Sequence, residues 1–507
     1  MEQPEQTFPR ATLEYTCNVR RCCVAEAASV ADKQLQDARF IVSPKLSHGQ
    51  FAQLYYQRLM MATPLLRAAA KQRWPALPGA GCCFVPPPPL TRASSSQSVG
   101  PGGGPGVRAA GHAVQGHEVE AVHPGRLRSR RASAVRQPVR ASRAPQLSLP
   151  RAVGAHAKFV SADDSLVLED EGARVKLRGL APAPLASGVV LAVRGRTNGL
   201  EFVVEEACFA TPTAQAPLAP PPAGAEAQAG PYVALLSGLS LGGAADPLAA
   251  TLAVDWLSGH LGGWREAGLA SRVVRAIVAG NTVATTPPPP GGAGAIHAAE
   301  ARVAASKLAG PLREADVLLA QLAAALPVDL MPGRSDPAMV ALPQQPMHPC
   351  LLPFSGRFVA AFSRVTNPHE CALGGVVILG TSGQNIDDLW RCTEGDDRLA
   401  LLERTLEWGH LAPTAPDSLS CRPLADRDPF LMPTAPHVLF AANQPAFASK
   451  LVVSDDGRGG TATTRLVLVP RFADTGTIVL VNLATLGVHP VTFETSALVE
   501  RKEEGVE

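Results

Sequence analysis

The hydrophobic rhythm of this 507-residue chain changes several times, and each change marks a candidate unit. Residues 1–37 hold no sustained period and read as a variable, disordered amino terminus, whereas 38–78 read as helical. Within 47–74, Phe51, Leu54, Tyr55, Leu59 and Ala62 recur at helical spacing behind Ser47 as a candidate cap. Pro64 is expected to break or restart that pattern, giving one packed amphipathic helix pair with no site of its own. From about 85 to 150 the rhythm collapses into Pro86-Pro87-Pro88-Pro89, serines at 94–96, a Gly-Pro tract at 100–106 and scattered arginines. Taken at face value that stretch is a disordered basic linker.

Order resumes near Phe159. Leu166, Val167 and Leu168, then Val175 and Leu177, flank a turn-like Glu171-Gly172, and Val189 to Val193 precede Thr197-Asn198-Gly199 and Phe202-Val203-Val204. Short strands on tight turns over 156–212 predict a small barrel or sandwich. Residues 213–230, rich in Ala, Pro and Gln, read as a linker. Over 231–495 short apolar runs of buried-strand type alternate with helical stretches. The runs are Tyr232 to Leu236, Arg272 to Ala279, Val328 to Met331, Val376 to Leu379 and His437 to Ala441; the helices are 296–326 and 395–408, and strands at 465–472 and 477–483 follow. That order predicts an α/β sandwich with mixed sheets, Pro287 to Pro290 forming a surface loop and 496–507 a charged tail.

Composition narrows the class. Length predicts two to four domains; with 46% apolar and 18% charged residues the chain can bury substantial cores, while 47 Pro and 45 Gly require linkers. No apolar run reaches the roughly 18 to 20 residues that span a bilayer, and the polar, acidic start at Met1 to Gln6 is unlike a signal peptide, so a soluble intracellular protein is expected. The ten cysteines fit a reducing compartment; Cys17, Cys22-Cys23 and Cys82-Cys83 lack zinc-ligand spacing. Net charge is +2, yet 85–150 holds nine Arg and no Lys against Glu118 and Glu120, a local +7 that leaves the remainder at −5. Outside that stretch there is no basic argument for nucleic-acid binding.

No phosphate-cradling Gly-x-x-x-x-Gly-Lys-Ser/Thr loop occurs. Gly238 and Gly242 flank Ser240 at nucleophile-elbow spacing, but a small-residue strand-to-helix turn produces the same string, and structural use of Ser240 is the favoured reading. An α/β sandwich whose strands end in short loops could instead present two divalent cations. Such a site needs carboxylates and imidazoles at the strand ends, and those ends are chemically empty here.

Several longer strings carry a resemblance. They are Leu342-Pro343-Gln344-Gln345-Pro346-Met347-His348-Pro349-Cys350, Val365-Thr366-Asn367-Pro368, Leu379-Gly380-Thr381-Ser382-Gly383-Gln384-Asn385, Pro413-Thr414-Ala415-Pro416-Asp417, Asp428-Pro429-Phe430, Pro436-His437-Val438 with Asn443-Gln444-Pro445, and Val160 to Gly179. In this order over about 159–495, with a weaker match at 38–74, the chain resembles the DNA polymerase delta small (B) subunit family. The resemblance implies an oligonucleotide-binding (OB) type β-barrel followed by a calcineurin-like phosphoesterase αββα sandwich, inactive and without cofactor. The metal-ligand positions of active relatives fall near Ser237, Gly280-Asn281, Ser335-Asp336 and Asn443-Gln444. Asp336 and a stray His348 cannot supply the six or so ligands of a dimetal site, so neither catalytic nor metal residues are expected. His348, His369 and His437 are read as packing or hydrogen-bonding residues.

The resemblance also implies partners. These are the carboxy-terminal domain of the catalytic polymerase subunit and a third, clamp-binding subunit, each meeting a surface of about 800 Å² or more. DNA is expected only within the holoenzyme, no membrane is involved, and the location is the nucleus. The rival readings are an active metal-dependent phosphoesterase and a free-standing single-strand binder of barrel type.

One stretch departs from the family. Gly111 to Arg126, read with the last two bases of each codon joined to the first of the next, permits Gly-Thr-Leu-Tyr-Lys-Ala-Met-Lys-Leu-Lys-Pro-Ser-Ile-Leu-Asp, which resembles the family's barrel segment. Residues 84–155 are therefore expected to be out of the ancestral frame, and disordered. Transcript sequencing with peptide mass mapping checks this: a shifted frame is expected, and one uninterrupted frame with matching peptides refutes it.

Overall fold

The computed structural model describes residues 39–42, 50–75, 121–130 and most of 158–495, apart from 162, 170–173, 198–200, 219–229, 245, 285–297 and 456–460. Helix α1 (Phe51–Arg73) is continuous through Pro64, correcting the expected break. Its amino-terminal cap is Gln50, and Ser47 lies outside the described residues.

Five strands close a barrel: β1 (Ala121–Arg130), β2 (Ser165–Glu169), β3 (Arg174–Arg178), β4 (Val190–Thr197) and β5 (Glu201–Phe209), in the order β1-β2-β3-β5-β4. β1 corrects the expectation that all of 84–155 is without structure. Its backbone pairs antiparallel with β2 and with β4. The physical reason is that main-chain N–H and C=O groups along two open edges accept any extended segment, whatever its side chains. The rest of 84–155 lies outside the described residues. In the other strands the expected alternation holds, with Leu166, Leu168, Leu177, Leu191, Val193, Phe202 and Val204 buried.

The larger unit is built from two mixed sheets. The six-stranded sheet orders β16 (Val488–Thr492), β15 (Thr477–Asn482), β6 (Tyr232–Leu236), β7 (Val273–Ala279), β8 (Val328–Met331) and β9 (Phe362–Arg364). The five-stranded sheet orders β10 (His369–Leu373), β11 (Val376–Thr381), β12 (Val438–Gln444), β14 (Thr461–Pro470) and β13 (Ala448–Asp455). Central strands are buried on both faces and so read as continuous apolar runs. One set of side chains, including Val233, Leu235, Ile277, Met331, Ile378, Phe440 and Val467, fills the space between the sheets. The alternate set on the six-stranded sheet, with Ala234, Leu236, Val278 and Leu330, meets helices α2 (Pro247–Leu257) and α4 (Ala298–Ala325) through Trp256, Leu319 and Leu322. Between these helices lies the short α3 (Trp264–Ala270).

On the other flank, Leu379, Leu439, Leu466 and Leu468 pack against α5 (Gln384–Cys392) and α6 (Arg398–Glu407). The same cluster takes in the barrel's Leu166, Leu177, Leu191 and Phe202, so barrel and sandwich share one core. Layers therefore run helix, sheet, sheet, helix, with the barrel docked on the second helical layer. The expected linker at 213–230 is partly fixed. Gln215 donates from Nε2 to the carbonyls of Pro436 and Thr463 and accepts from the Thr463 N–H at 2.8 Å, imitating a strand along β14. Residues 219–229, 285–297 and the tail from 496 lie outside the described residues, including the Pro287 to Pro290 loop. No helix among the described residues is long and apolar enough to cross a membrane.

α1 lies on the barrel through Ala62, Leu66, Ala70 and Trp74, against Val190 and Ala192. Its Arg58 is fully buried and donates from Nε to Asp428 Oδ2 at 2.6 Å, from Nη1 to the carbonyls of Pro413 (2.8 Å) and Gly188 (3.3 Å), and from Nη2 to that of Ala415 (2.7 Å). His410 Nε2 meets the same Asp428 oxygen at 3.0 Å, while its Nδ1 accepts the Ala412 N–H, which identifies the neutral tautomer protonated on Nε2. Burial alone would raise the Asp428 carboxyl, but the Arg58 guanidinium and then His410 hold it well below the usual carboxylate range.

Breaking this pair leaves a buried charge. Arg58→Met should cost about 3 to 5 kcal/mol in urea unfolding of the purified chain. A folded-state pKa depressed below the ordinary value of about 3.9 contributes stability at neutral pH that is lost as pH falls through it. The gap in stability between wild type and variant should therefore narrow from pH 7 to pH 3; a constant gap would contradict the assignment.

Candidate functional site

The positions that the sequence marked as degenerate metal ligands do converge at one edge of the sandwich. Ser237 follows β6, Asn281 follows β7, 332–336 follow β8, and Asn443 and Gln444 end β12; Ser382, from the signature string, follows β11 beside them. Apart from Asp336, the side chains at these positions are neutral. The Asn443 N–H donates to Ser237 Oγ (3.0 Å), which itself donates to the Pro470 carbonyl (2.9 Å). Asn443 Nδ2 reaches the carbonyls of Ala279 (3.1 Å) and Ser382 (3.0 Å), tying both sheets. Asn281 Oδ1 accepts from the Ser335 N–H at 3.1 Å, and Gln444 Oε1 accepts from Arg398 Nη1 at 2.9 Å. Gly238 sits at φ +65°, and a Cβ there would stand 2.8 Å from Asn443 Oδ1, so the loop after β6 must stay without a side chain.

Asp336 is the one carboxylate among the marked positions. Its Oδ1 accepts from the N–H groups of Thr282 (2.8 Å) and Val283 (3.1 Å), its Oδ2 from that of Gly333 (2.8 Å). Burial pushes the carboxyl up to about 6 despite those donors. Its chemistry is to clasp the loop after β7 to the loop after β8.

Behind this row lies a chain of buried amides. Gln344 donates to the carbonyls of Gly333 (3.0 Å) and Met339 (2.8 Å), and its Oε1 accepts from Asn367 (2.7 Å) and Gln384 (3.0 Å). Asn367 Oδ1 in turn accepts the Ser382 N–H. The string Gly380-Thr381-Ser382-Gly383-Gln384-Asn385 is the turn from β11 into α5. A Cβ on Gly380 would strike the Phe440 ring at 2.0 Å, and Gly383, at φ +92°, has the Ala442 carbonyl 1.9 Å from where its Cβ would be. Thr381 Oγ1 donates to Asn385 Oδ1, and Asn385 Nδ2 to the Leu411 carbonyl.

Other signature residues grip the amino-terminal segment. Gln345 accepts the Val42 N–H and donates to the Phe40 carbonyl, Asp417 accepts from the Tyr55 hydroxyl, and Pro413 supplies a carbonyl to Arg58. Pro346 lies within the same string, and His348 caps the short 3-10 turn that starts at Pro349. His348 is exposed, with Nδ1 2.8 Å from Cys350 Sγ. His437 is hydrogen-bonded on both nitrogens, accepting the Val377 N–H and reaching the Ala216 carbonyl, and burial lowers its pKa. Ser240 has the left-handed backbone of an elbow, φ +49°, but among the described residues no histidine or carboxylate hydrogen-bonds its hydroxyl.

Sequence reasoning missed two features. Arg58, Asp428 and His410 gave no periodic signal, because a charged residue on a buried helix face reads as a polar interruption. Asp329 and Cys371 also escaped notice, and His369 was read as a packing or hydrogen-bonding residue, although the ligand atoms of the three lie within 4.8 Å of one another.

Comparison with known proteins fits this construction. A family model described as the OB-fold domain of a DNA polymerase delta subunit matches residues 146–207, over the barrel. A second, described as the B-subunit of DNA polymerases alpha and epsilon, matches 233–449, over the sandwich. The DNA polymerase delta small subunit of Arabidopsis thaliana is 43% identical over 343 residues, 66% of this chain and 74% of the relative. That of Oryza sativa subsp. japonica is 42% identical over 341 residues, covering 67% and 76%. The DNA polymerase delta subunit 2 of Drosophila melanogaster is 40% identical over 344 residues, covering 66% and 75%. With an OB-fold barrel, a polymerase B-subunit domain and relatives matched over about three quarters of their length, the chain belongs to the DNA polymerase delta small-subunit family.

Proposed function

We propose that the chain is a non-catalytic scaffold of the nuclear replicative polymerase, joining the carboxy-terminal domain of the catalytic subunit to a third, clamp-binding subunit. Its sandwich is a calcineurin-like phosphoesterase fold that has exchanged metal binding for rigidity. The observation that carries this reading is the content of the strand-end row. Two divalent cations need carboxylates and imidazoles. Ser237, Asn281, Asn443 and Gln444 offer only neutral amides and a hydroxyl, Asn443 Oδ1 being buried without a hydrogen-bond partner among the described residues, and Asp336 has both oxygens engaged by N–H groups.

Strands β2 to β5 of the barrel favour protein contact over single-strand capture. Arg174 faces Glu169 at 2.6 Å, Lys176 faces Glu201 at 3.3 Å, and Arg178 pairs with Glu201 as well. Cations offset in this way leave little of the positive groove that tracks a phosphate backbone. DNA is met inside the assembled holoenzyme.

Two measurements test the proposal. The full chain should retain the carboxy-terminal domain of its own catalytic subunit in a pull-down, and failure to do so overturns the scaffold role. With added manganese it should hydrolyse an aryl phosphate ester no faster than buffer; turnover abolished by Asp336→Ala would restore the phosphoesterase reading.

A further inference from the structure

Away from the strand-end row, one cluster of ligand-type side chains has no part in the scaffold proposal. Asp329, His369 and Cys371 are each 1% exposed or less, and their ligand atoms lie within 4.8 Å of one another. Asp329 stands on β8 of the six-stranded sheet, between Val328 and Leu330, which turn toward the helices, so its side chain points into the space between the sheets. His369 and Cys371, two apart on β10, share one face of the five-stranded sheet's edge strand. The three therefore meet across the gap between the two sheets.

Two distances describe the meeting. Asp329 Oδ1 accepts from Arg275 Nη1 at 2.8 Å, which fixes the carboxylate's orientation. Its Oδ2 faces His369 Nε2 at 3.6 Å. That separation exceeds the 2.7 to 3.2 Å of a good N–H···O bond. It is close to the roughly 3.3 to 3.5 Å between two ligands that share one tetrahedral ion at about 2.0 to 2.1 Å.

We propose that Asp329, His369 and Cys371 bind a zinc-class transition metal that braces the two sheets at this edge. A thiolate with an imidazole selects zinc over magnesium, manganese or calcium, the opposite preference to a phosphoesterase centre. Complete burial excludes a substrate, so the ion is structural, and the three side chains fill three of the four positions of a tetrahedral ion. Arg275 acts as the outer partner that holds the ligating carboxylate, a role that commonly falls to a hydrogen-bonded neighbour. Binding replaces the Cys371 S–H bond with a sulfur–metal bond and releases that proton to solvent, so affinity falls as pH falls.

The test uses the full-length chain, with metal content measured after dialysis and cobalt exchanged for zinc to reveal sulfur-to-metal charge transfer. One zinc per chain, a cobalt–thiolate band and a melting temperature lowered by a chelator are expected. Cys371→Val, sized for the surrounding apolar core, should fold yet lose both metal and band, and His369→Gln should weaken zinc binding at least tenfold. Cys350→Ser is the control for the exposed Cys350 and His348 pair and should change nothing. A folded wild-type chain that takes up no zinc at micromolar concentration overturns the proposal, as does zinc that survives Cys371→Val and vanishes in Cys350→Ser.

Discussion

The arrangement of this molecule depends on one fully buried guanidinium. Arg58 sits on α1, yet its donors end on Gly188 beside the barrel and on Pro413, Ala415 and Asp428 in the sandwich. An arginine in this place is a poor source of net stability, because desolvating both charges offsets most of their attraction. It is a good source of orientation. Its planar fork matches four acceptors only when helix, barrel and sandwich stand in one mutual pose. Apolar contacts alone would tolerate sliding, as the leucine-rich seam between barrel and α6 has no directional preference.

The same logic governs the strand-end row. Loops at the carboxyl ends of parallel strands carry unpaired main-chain groups that need partners. In a metalloenzyme, carboxylates and cations fill that place. Here Ser237, Asn443 and Gln344 fill it with neutral donors and acceptors that cost less to bury than charge. Asp336 is the exception, and its three N–H partners explain how a lone carboxylate is tolerated there. The result is a rigid edge. Rigidity suits the proposed scaffold role, since preformed surfaces lose little entropy on association.

Much of this was legible in the sequence, for identifiable reasons. Runs such as Tyr232 to Leu236 and Val328 to Met331 announced themselves because central parallel strands are apolar on both faces. The helix read over 296–326, observed as Ala298–Ala325, was evident from its leucine spacing. Edge strands were harder: β13 alternates toward solvent, with Val453 61% exposed, and β16 carries Pro490, so both resemble loop. Pro64 misled because proline disrupts a helix interior only partly when the helix is held by packing along its length, as α1 is by Leu54, Leu66 and Trp74. The signature strings were recognised without their purpose. Gln345, Pro413 and Asp417 hold residues more than 300 positions away, and no local pattern encodes a partner at that distance.

β1 shows where such inference fails in principle. Sequence argues through side chains, whereas a barrel closes through its main chain. β2 and β4 each present a row of N–H and C=O groups that must pair with something, and a ten-residue extended segment satisfies both rows at once. Even Pro124, which lacks a donor, is admissible, because a single missing ladder bond is a small part of two ladders. The barrel can therefore keep its closed topology while the identity of its first strand changes. Leu166, Leu177, Leu191 and Phe202 of the other strands share a core with the sandwich.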